Sequence, residues 1–184
     1  VGELRPELSL SSARVLDFGC GAGVLTEKLQ TACASIVALD AAPKMVARVQ
    51  AKVSERGWTN VTSIHVIVDS TTVTTCPPLA DPAHFDLVVA SSVCMFVPDL
   101  PATLSALASV MKPGALFVHL DWPGDSADTS AGFNAENAAA VYAKAGLIAL
   151  RAETVDFKFP PEEEGEADME PGTGPVFAGV AAKP

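Results

Sequence analysis

The chain has 184 residues, a length that fits one domain, 1–184, with a sizeable core. Its apolar fraction of 49% suits a sheet buried on both faces, and its net charge of −10 argues against a nucleic-acid binder, which needs a basic surface to displace counterions. No run is long and apolar enough for a helix that spans a bilayer, and Val1 is not a natural start, so a targeting segment ahead of it stays an open matter.

Residues 1–13 carry Pro6, Leu8, Leu10 and Ser11-Ser12 and read as a linker or partial helix. Val15, Leu16 and Phe18 form a short buried strand that runs into the turn Gly19-Cys20-Gly21-Ala22-Gly23. Val24, Leu25 and Leu29 then recur at helical spacing, which predicts a helix from about Ala22 to Thr31. Ile36-Val37-Ala38-Leu39 is a second strand, ending at Asp40. Its lack of alternation suits a parallel strand covered on both faces. Pro43 fits the first turn of a helix that continues through Met45, Val46, Val49 and Val53 and closes at Gly57. Val61 to Val68 predicts a third strand ending at Asp69, and the polar stretch from Ser70 to His84 an irregular helix at most. A fourth strand covers Phe85 to Ala90 and is followed by Ser91-Ser92.

Pro98, Leu100, Leu104, Leu107, Val110 and Met111 mark a helix stopped by Lys112-Pro113-Gly114. Ala115 to Leu120 is a fifth strand, ending at Asp121-Trp122-Pro123, and Ala135 to Ala145 is a helix with Gly146 as its stop. Leu147 to Phe159 and Val176 to Ala182 read as two final strands. Between them the run Glu162, Glu163, Glu164, Glu166, Asp168 and Glu170 reads as a solvated acidic loop, 160–175. Strand and helix alternate from Arg14 to Gly146, the pattern of an α/β, doubly wound, mostly parallel sheet with helices on both faces. The last two strands lack a helical crossover, so an antiparallel final strand is expected.

The glycine turn is where a ligand is expected, because a strand turning sharply into a helix offers backbone N–H groups and the positive helix end. A dinucleotide fold asks for Gly-x-Gly-x-x-Gly, but here the position of the third glycine is Val24. Asp17 stands just before the turn, where it would repel a pyrophosphate and attract a ligand that carries a positive amino group. Asp40 can accept both hydroxyls of a ribose, or simply cap the helix before Pro43. Asp69 can likewise be no more than the start of a turn before Ser-Thr-Thr. Cys20, Cys33, Cys76 and Cys94 form no CxxC pair and His65, His84 and His119 are scattered, so neither a metal centre nor a disulfide framework is predicted and a reducing, cytoplasmic compartment is the expectation.

The motif Asp17-Phe18-Gly19-Cys20-Gly21-Ala22-Gly23, with Asp40, Asp69, Phe85-Asp86-Leu87-Val88-Val89 and Met111-Lys112-Pro113-Gly114 following in order, resembles the class I S-adenosylmethionine-dependent methyltransferases, and the likeness covers nearly the whole chain. The resemblance implies a Rossmann-like sheet of seven strands and S-adenosylmethionine as cofactor, with S-adenosylhomocysteine as product. It implies that Asp17, Gly19, Cys20, Gly21 and Gly23 face the methionine moiety and Asp40 and Ala41 the ribose. Asp69 and the Ser70 N–H would meet adenine, Met45 would pack near it, and Ala90 and Ser91 would hold the ligand's amino group.

Local details are similar to the small-molecule branch that includes the quinone-biosynthesis enzymes, many of which carry a histidine just after strand four. This chain has Phe96 there, which can pack on the cofactor or on an apolar acceptor. The expected reaction is methyl transfer to a small molecule. Asp121 is the first candidate for a base at the cleft rim, Trp122 a pocket wall, His119 a core histidine, and the loop from Asp125 to Phe133 further material for the acceptor pocket. An NAD-type oxidoreductase and a non-catalytic binding module remain the alternatives.

Overall fold

The computed structural model describes residues 8–81, 84–158 and 173–184. The sheet has seven strands: β1 (Arg14–Phe18), β2 (Ser35–Asp40), β3 (Val61–His65), β4 (Phe85–Ser91), β5 (Met111–Asp121), β6 (Ile148–Lys158) and β7 (Thr173–Ala182). Their order is β3-β2-β1-β4-β5-β7-β6. β1 to β5 pair in parallel, whereas β7 is antiparallel to both neighbours. The helices are α1 (Val24–Gln30), α2 (Pro43–Arg56), α3 (Thr72–Thr75), α4 (Leu100–Ser109) and α5 (Ala135–Lys144). Among the described residues no helix is long and apolar enough to cross a membrane.

Strand side chains alternate between two cores, as a two-unit pleat demands. Leu16, Phe18, Val37, Leu39, Val88 and Phe117 face a core shared with α3, α4 and α5. Val15, Ile36, Ala38, Leu87, Val89 and Leu116 face a second core with Val49 of α2 and Leu25 and Leu29 of α1. Helices therefore cover both faces, and the inner strands are mostly apolar, with Asp17, His119 and Asp121 as their buried polar exceptions. Helix ends follow local chemistry. Pro43 sits in the first turn of α2 and Gly57 closes it in the left-handed region at φ 63°. The Asp99 side chain accepts from Ala102 N at the start of α4, and Asn134 and Asn137 form a reciprocal capping box on α5.

Several boundaries differ from the sequence reading: β7 begins at Thr173 rather than Val176, within the stretch read as the acidic loop 160–175, and α4 ends at Ser109, short of Val110 and Met111. β3 ends at His65, so Val66-Ile67-Val68 has left the sheet and Asp69 does not stand at a strand tip. β5 begins at Met111 rather than Ala115, because Met111 pairs with Phe85 before the register jumps to Leu116 opposite Leu87. The Lys112-Pro113-Gly114 stop is thus an irregularity inside a strand. The α1 helix is shorter than expected, starting at Val24, since Gly23 at φ 83° is its N-cap. The linker is described from residue 8 on and contains a single 3-10 turn, Leu10–Ser12. The acidic run 162–170 lies outside the described residues.

The first of these cores meets the added β7 strand at a tight point. A Cβ on Gly179 would lie 2.1 Å from the Tyr142 hydroxyl, which bonds His119 Nδ1 at 3.0 Å. Gly179→Ala is expected to push that hydroxyl off its partner and lower the unfolding free energy by about 1–3 kcal/mol, read from urea unfolding. Tyr142→Phe removes the nearest clash and leaves the Phe177 ring at 2.9 Å, so the double variant should lose less than the two single losses combined.

Candidate active site

A cleft of about 490 Å³ opens beyond the carboxyl ends of β1 and β4, where strand order reverses. This is the place at which open α/β sheets bind ligands. The glycine turn forms its floor. A Cβ at Gly19 would lie 2.3 Å from Val93 Cγ2, and one at Gly23 2.9 Å from Val49 Cγ2, both with φ in the left-handed region. A Cβ at Gly21 meets nothing within 4 Å and would project into open space. Only glycine combines these dihedrals with that closeness.

The turn's N–H groups do not point freely at a ligand as the sequence reading expected. Gly19 N and Cys20 N both donate to Leu39 O at 2.9 Å, Gly21 N donates to Asp40 Oδ2 at 2.9 Å, and Gly23 N donates to Cys20 O. Three of these donors, on Gly19, Cys20 and Gly21, hold the turn to the end of β2, and the fourth, on Gly23, closes the turn on itself.

Charge in the cleft is negative. Asp17 and Asp40 line it, and among the described residues no lysine or arginine does. Asp17 is 1% exposed and accepts from Thr26 Oγ1 at 2.5 Å. Burial, only partly offset by the hydrogen bonds from Thr26, raises its carboxyl to about 6. Asp40 Oδ1 accepts from Ala42 N at 2.7 Å while Oδ2 takes Gly21 N. Each oxygen keeps a second lone pair, so the carboxylate can still accept a diol while it fixes both the turn and the start of α2. The Cys20 thiol is pushed up to about 12 by burial and the two carboxylates beside it, so it stays neutral and is no nucleophile.

Of the other expected residues, Met45, Ser91 and Phe96 line the cleft, Phe96 with 71% of its surface exposed. Gly23, Ala41, Asp69, Ser70 and Ala90 are not among its lining residues. Asp69 Oδ1 accepts from Thr71 N at 2.8 Å and Thr72 N at 2.7 Å, the turn-starting alternative. Ala41 O contacts His65 Nε2 at 3.0 Å. Val24, Leu25, Ala42 and Val93 line the cleft without having been expected there. They are ordinary apolar residues whose position depends on how the turn and the loop after β4 fold back.

A second, smaller hollow of about 80 Å³ adjoins the cleft and shares Ser91 and Ser92 with it. Asp121 lines it but does not stand at an open rim, because it is only 2% exposed. Its Oδ2 accepts from Cys94 N at 2.9 Å and Met95 N at 3.4 Å, and its Oδ1 from Trp122 N at 3.0 Å. A carboxylate committed to three backbone donors anchors a loop and is poorly placed to take a proton. The loop it anchors carries Val93 and Phe96, so Asp121 sets the cleft wall. His119 is buried as expected. Its Nε2 lies 3.4 Å from Asp121 Oδ2 and its Nδ1 faces the Tyr142 hydroxyl, and burial lowers its pKa.

Cys94, His119 and Asp121 present ligand-type atoms within 4.8 Å of one another, a grouping the sequence does not reveal. Burial raises the Cys94 thiol well above its ordinary value and the carboxylate is taken by N–H donors, so the cluster is satisfied internally. The loop Asp125 to Phe133 is tied down by Gly124 N donating to Phe133 O and by Asn134 and Asn137 side chains donating to Gly124 O and Ser126 O. It lines neither hollow. Phe157 and Val176, from β6 and β7, supply wall to the smaller one instead.

A family model described as "Methyltransferase domain" matches residues 16–119. The chain belongs to the methyltransferase domain family. Over 113 residues this methyltransferase domain is 37% identical to the ubiquinone biosynthesis O-methyltransferase of Xylella fastidiosa, covering 60% of this chain and 43% of that protein. It is 34% identical over 113 residues to the protein of the same name from Methylobacterium nodulans, covering 61% and 42%. The chain thus spans less than half the length of these curated relatives.

Among solved structures, a SAM dependent methyltransferase from Aquifex aeolicus superposes with a TM-score of 0.66 at 19% identity, covering 98% of this chain and 87% of that one. Magnesium protoporphyrin IX methyltransferase from Synechocystis, solved with bound SAM, gives 0.65 at 18% identity, covering 100% and 76%. The likeness fixes the fold, a Rossmann-like sheet with an antiparallel β7.

The raised Asp17 has a consequence for the stability of the methyltransferase domain. A carboxyl moved from an ordinary 3.8 to about 6 holds its proton more tightly in the folded than in the unfolded chain. Its stabilising contribution is fully present below about pH 4 and is lost as pH rises through about 6, a change of ~3 kcal/mol. Asp17→Asn, which keeps an acceptor for Thr26, is expected to raise the unfolding free energy of the ligand-free protein by up to ~3 kcal/mol above pH 7 and by little at pH 4, measured by urea unfolding at both.

Proposed function

We propose that this domain binds S-adenosylmethionine in the cleft and directs its methyl group to a small-molecule acceptor. The observation that carries the reading is the pairing of two carboxylates, one of them buried, with the lack of any basic lining residue among the described residues. Such a site favours a ligand bearing an ammonium and a sulfonium and disfavours a dinucleotide pyrophosphate. Its volume falls within the roughly 300–1,000 Å³ typical of ligand clefts.

Asp17 is the partner for the ligand's ammonium, together with Ser91 and the Ala90 carbonyl. Asp40 takes the ribose hydroxyls on its remaining lone pairs. Gly19, Cys20 and Gly21 let the ligand approach the backbone, with Gly23 shaping the turn, and Met45 packs at the adenine end. Asp69, Ser70 and Ala41 are assigned to the adenine and ribose edges on the family resemblance. When bound, the cofactor supplies an electrophilic methyl on a positively charged sulfur. The chain's own residues bind, align and exclude water, and Asp121 acts by fixing the loop that carries Val93 and Phe96.

Calorimetric titration with S-adenosylhomocysteine tests the reading, with NADH as the opposing ligand. Saturable binding of the first and none of the second is expected. Asp40→Ala should weaken S-adenosylhomocysteine at least about tenfold, equivalent to ~1.4 kcal/mol. Affinity should also fall as pH drops below about 6, where Asp17 takes up a proton and no longer attracts the ammonium. Preference for NADH, or an affinity independent of Asp40 and of pH, would overturn the assignment.

A further inference from the structure

Thr26 is fully buried in the first turn of α1 and is not among the residues lining the cleft. Its neighbours in that turn, Val24 and Leu25, do line it. A hydroxyl in such a place costs free energy unless it is hydrogen-bonded, and a valine would fill nearly the same volume without that cost. Thr26 Oγ1 donates to Asp17 Oδ2 at 2.5 Å, the length of a charge-assisted bond. The Thr26 backbone N–H adds a second hydrogen bond to the same carboxyl. Gly23 offers α1 no side-chain cap, and the carboxylate of β1 takes that part.

The surroundings leave Thr26 alone in supporting the charge. Asp17 lies, with Val15, on the face of the sheet that α1 and α2 cover. Ala38 of β2 and Val89 of β4 flank it in the sheet and carry no charge. Asp40, at the tip of β2, opposes its ionisation, and the Cys20 thiol beside it stays neutral. On α1 and α2, Glu27 is paired with Lys52 and Arg56, while Lys28, Lys44, Arg48 and Glu55 are exposed to solvent. Burial and Asp40 thus push the carboxyl toward its neutral form, and among the described residues only the two hydrogen bonds from Thr26 push the other way.

We infer that Thr26 is a positioning residue for the cleft: without touching the ligand, its hydroxyl holds the Asp17 carboxylate charged and in place for the ligand's ammonium at neutral pH. The inference rests on the reading of the cleft as the cofactor site, and it names the residue that keeps the acidic partner in that site usable.

Titration of the full chain with S-adenosylhomocysteine from about pH 5 to about pH 8.5 tests it, with Thr26→Val and Thr26→Ser as the variants and carbon-13 NMR of the ligand-free Asp17 carboxyl as a second readout. A hydrogen bond to a charged group is worth roughly one to two pH units, so Thr26→Val is expected to move the Asp17 midpoint up from about 6 by about one unit or more. Affinity should then fall at least about fivefold near pH 6 and return close to the unsubstituted value near pH 8.5, where the carboxyl is ionised in both proteins. Thr26→Ser, which keeps the hydroxyl, should keep both the midpoint and the affinity. A loss of equal size at every pH, or Thr26→Ser behaving like Thr26→Val, overturns the inference. Binding of S-adenosylhomocysteine with an Asp17 midpoint that Thr26→Val leaves in place sinks the inference alone. A midpoint that moves as expected in a chain that takes up no S-adenosylhomocysteine supports the role of Thr26 toward Asp17 and sinks the cofactor reading.

Discussion

The cleft depends on a carboxylate held inside the protein with no cation paired to it among the described residues. Asp17 sits at the end of an inner strand, its charge met by Thr26 alone. Desolvation makes that ion costly, so the ligand-free domain keeps a site that only a positive group relieves. Electrostatic selection is thereby built in before any contact with the rest of the ligand. Asp40, at the tip of the neighbouring strand, extends the negative field and at the same time locks the glycine turn through Gly21 N.

Mechanical precision at the site comes from close approaches. Val93 presses on Gly19 and Val49 on Gly23. The loop carrying Val93 is held from beneath by Asp121, and Asp121 is linked through His119 to Tyr142 on α5. Helix α5, packed on the same face of the sheet as this loop, therefore shares in placing the wall of the cleft. This buried chain of polar contacts is a high-stakes arrangement, since each member leaves its neighbour unsatisfied if removed.

The architecture was legible because its signals are local. Apolar runs such as Ile36 to Leu39, the glycine turn, and stops such as Gly57 each announce an element without reference to the rest of the chain. What failed was what depends on distant partners. Val66-Ile67-Val68 continues an apolar run, yet Ile67 is 69% exposed and the sheet has already ended. Lys112-Pro113-Gly114 has the chemistry of a stop and lies within β5, because Phe85 pairs with Met111 ahead of the shift in register. Asp121 follows an apolar strand as a rim residue would, and only the folding of Cys94 and Met95 back onto it makes it an internal anchor. Phe157 was invisible as a wall residue because its neighbourhood is set by β7, a strand that comes later in the chain.

The position of β7 between β5 and β6 also constrains the order in which the domain can be assembled on the ribosome. β6 emerges before its only sheet partner, and β5 waits with one edge uncovered until Thr173–Ala182 has been made. Nascent chains short of that segment carry two bare strand edges, the kind of surface that recruits other extended chains. Completion of the sheet therefore waits for β7, and the hollow walled by Phe157 and Val176 comes into being only then.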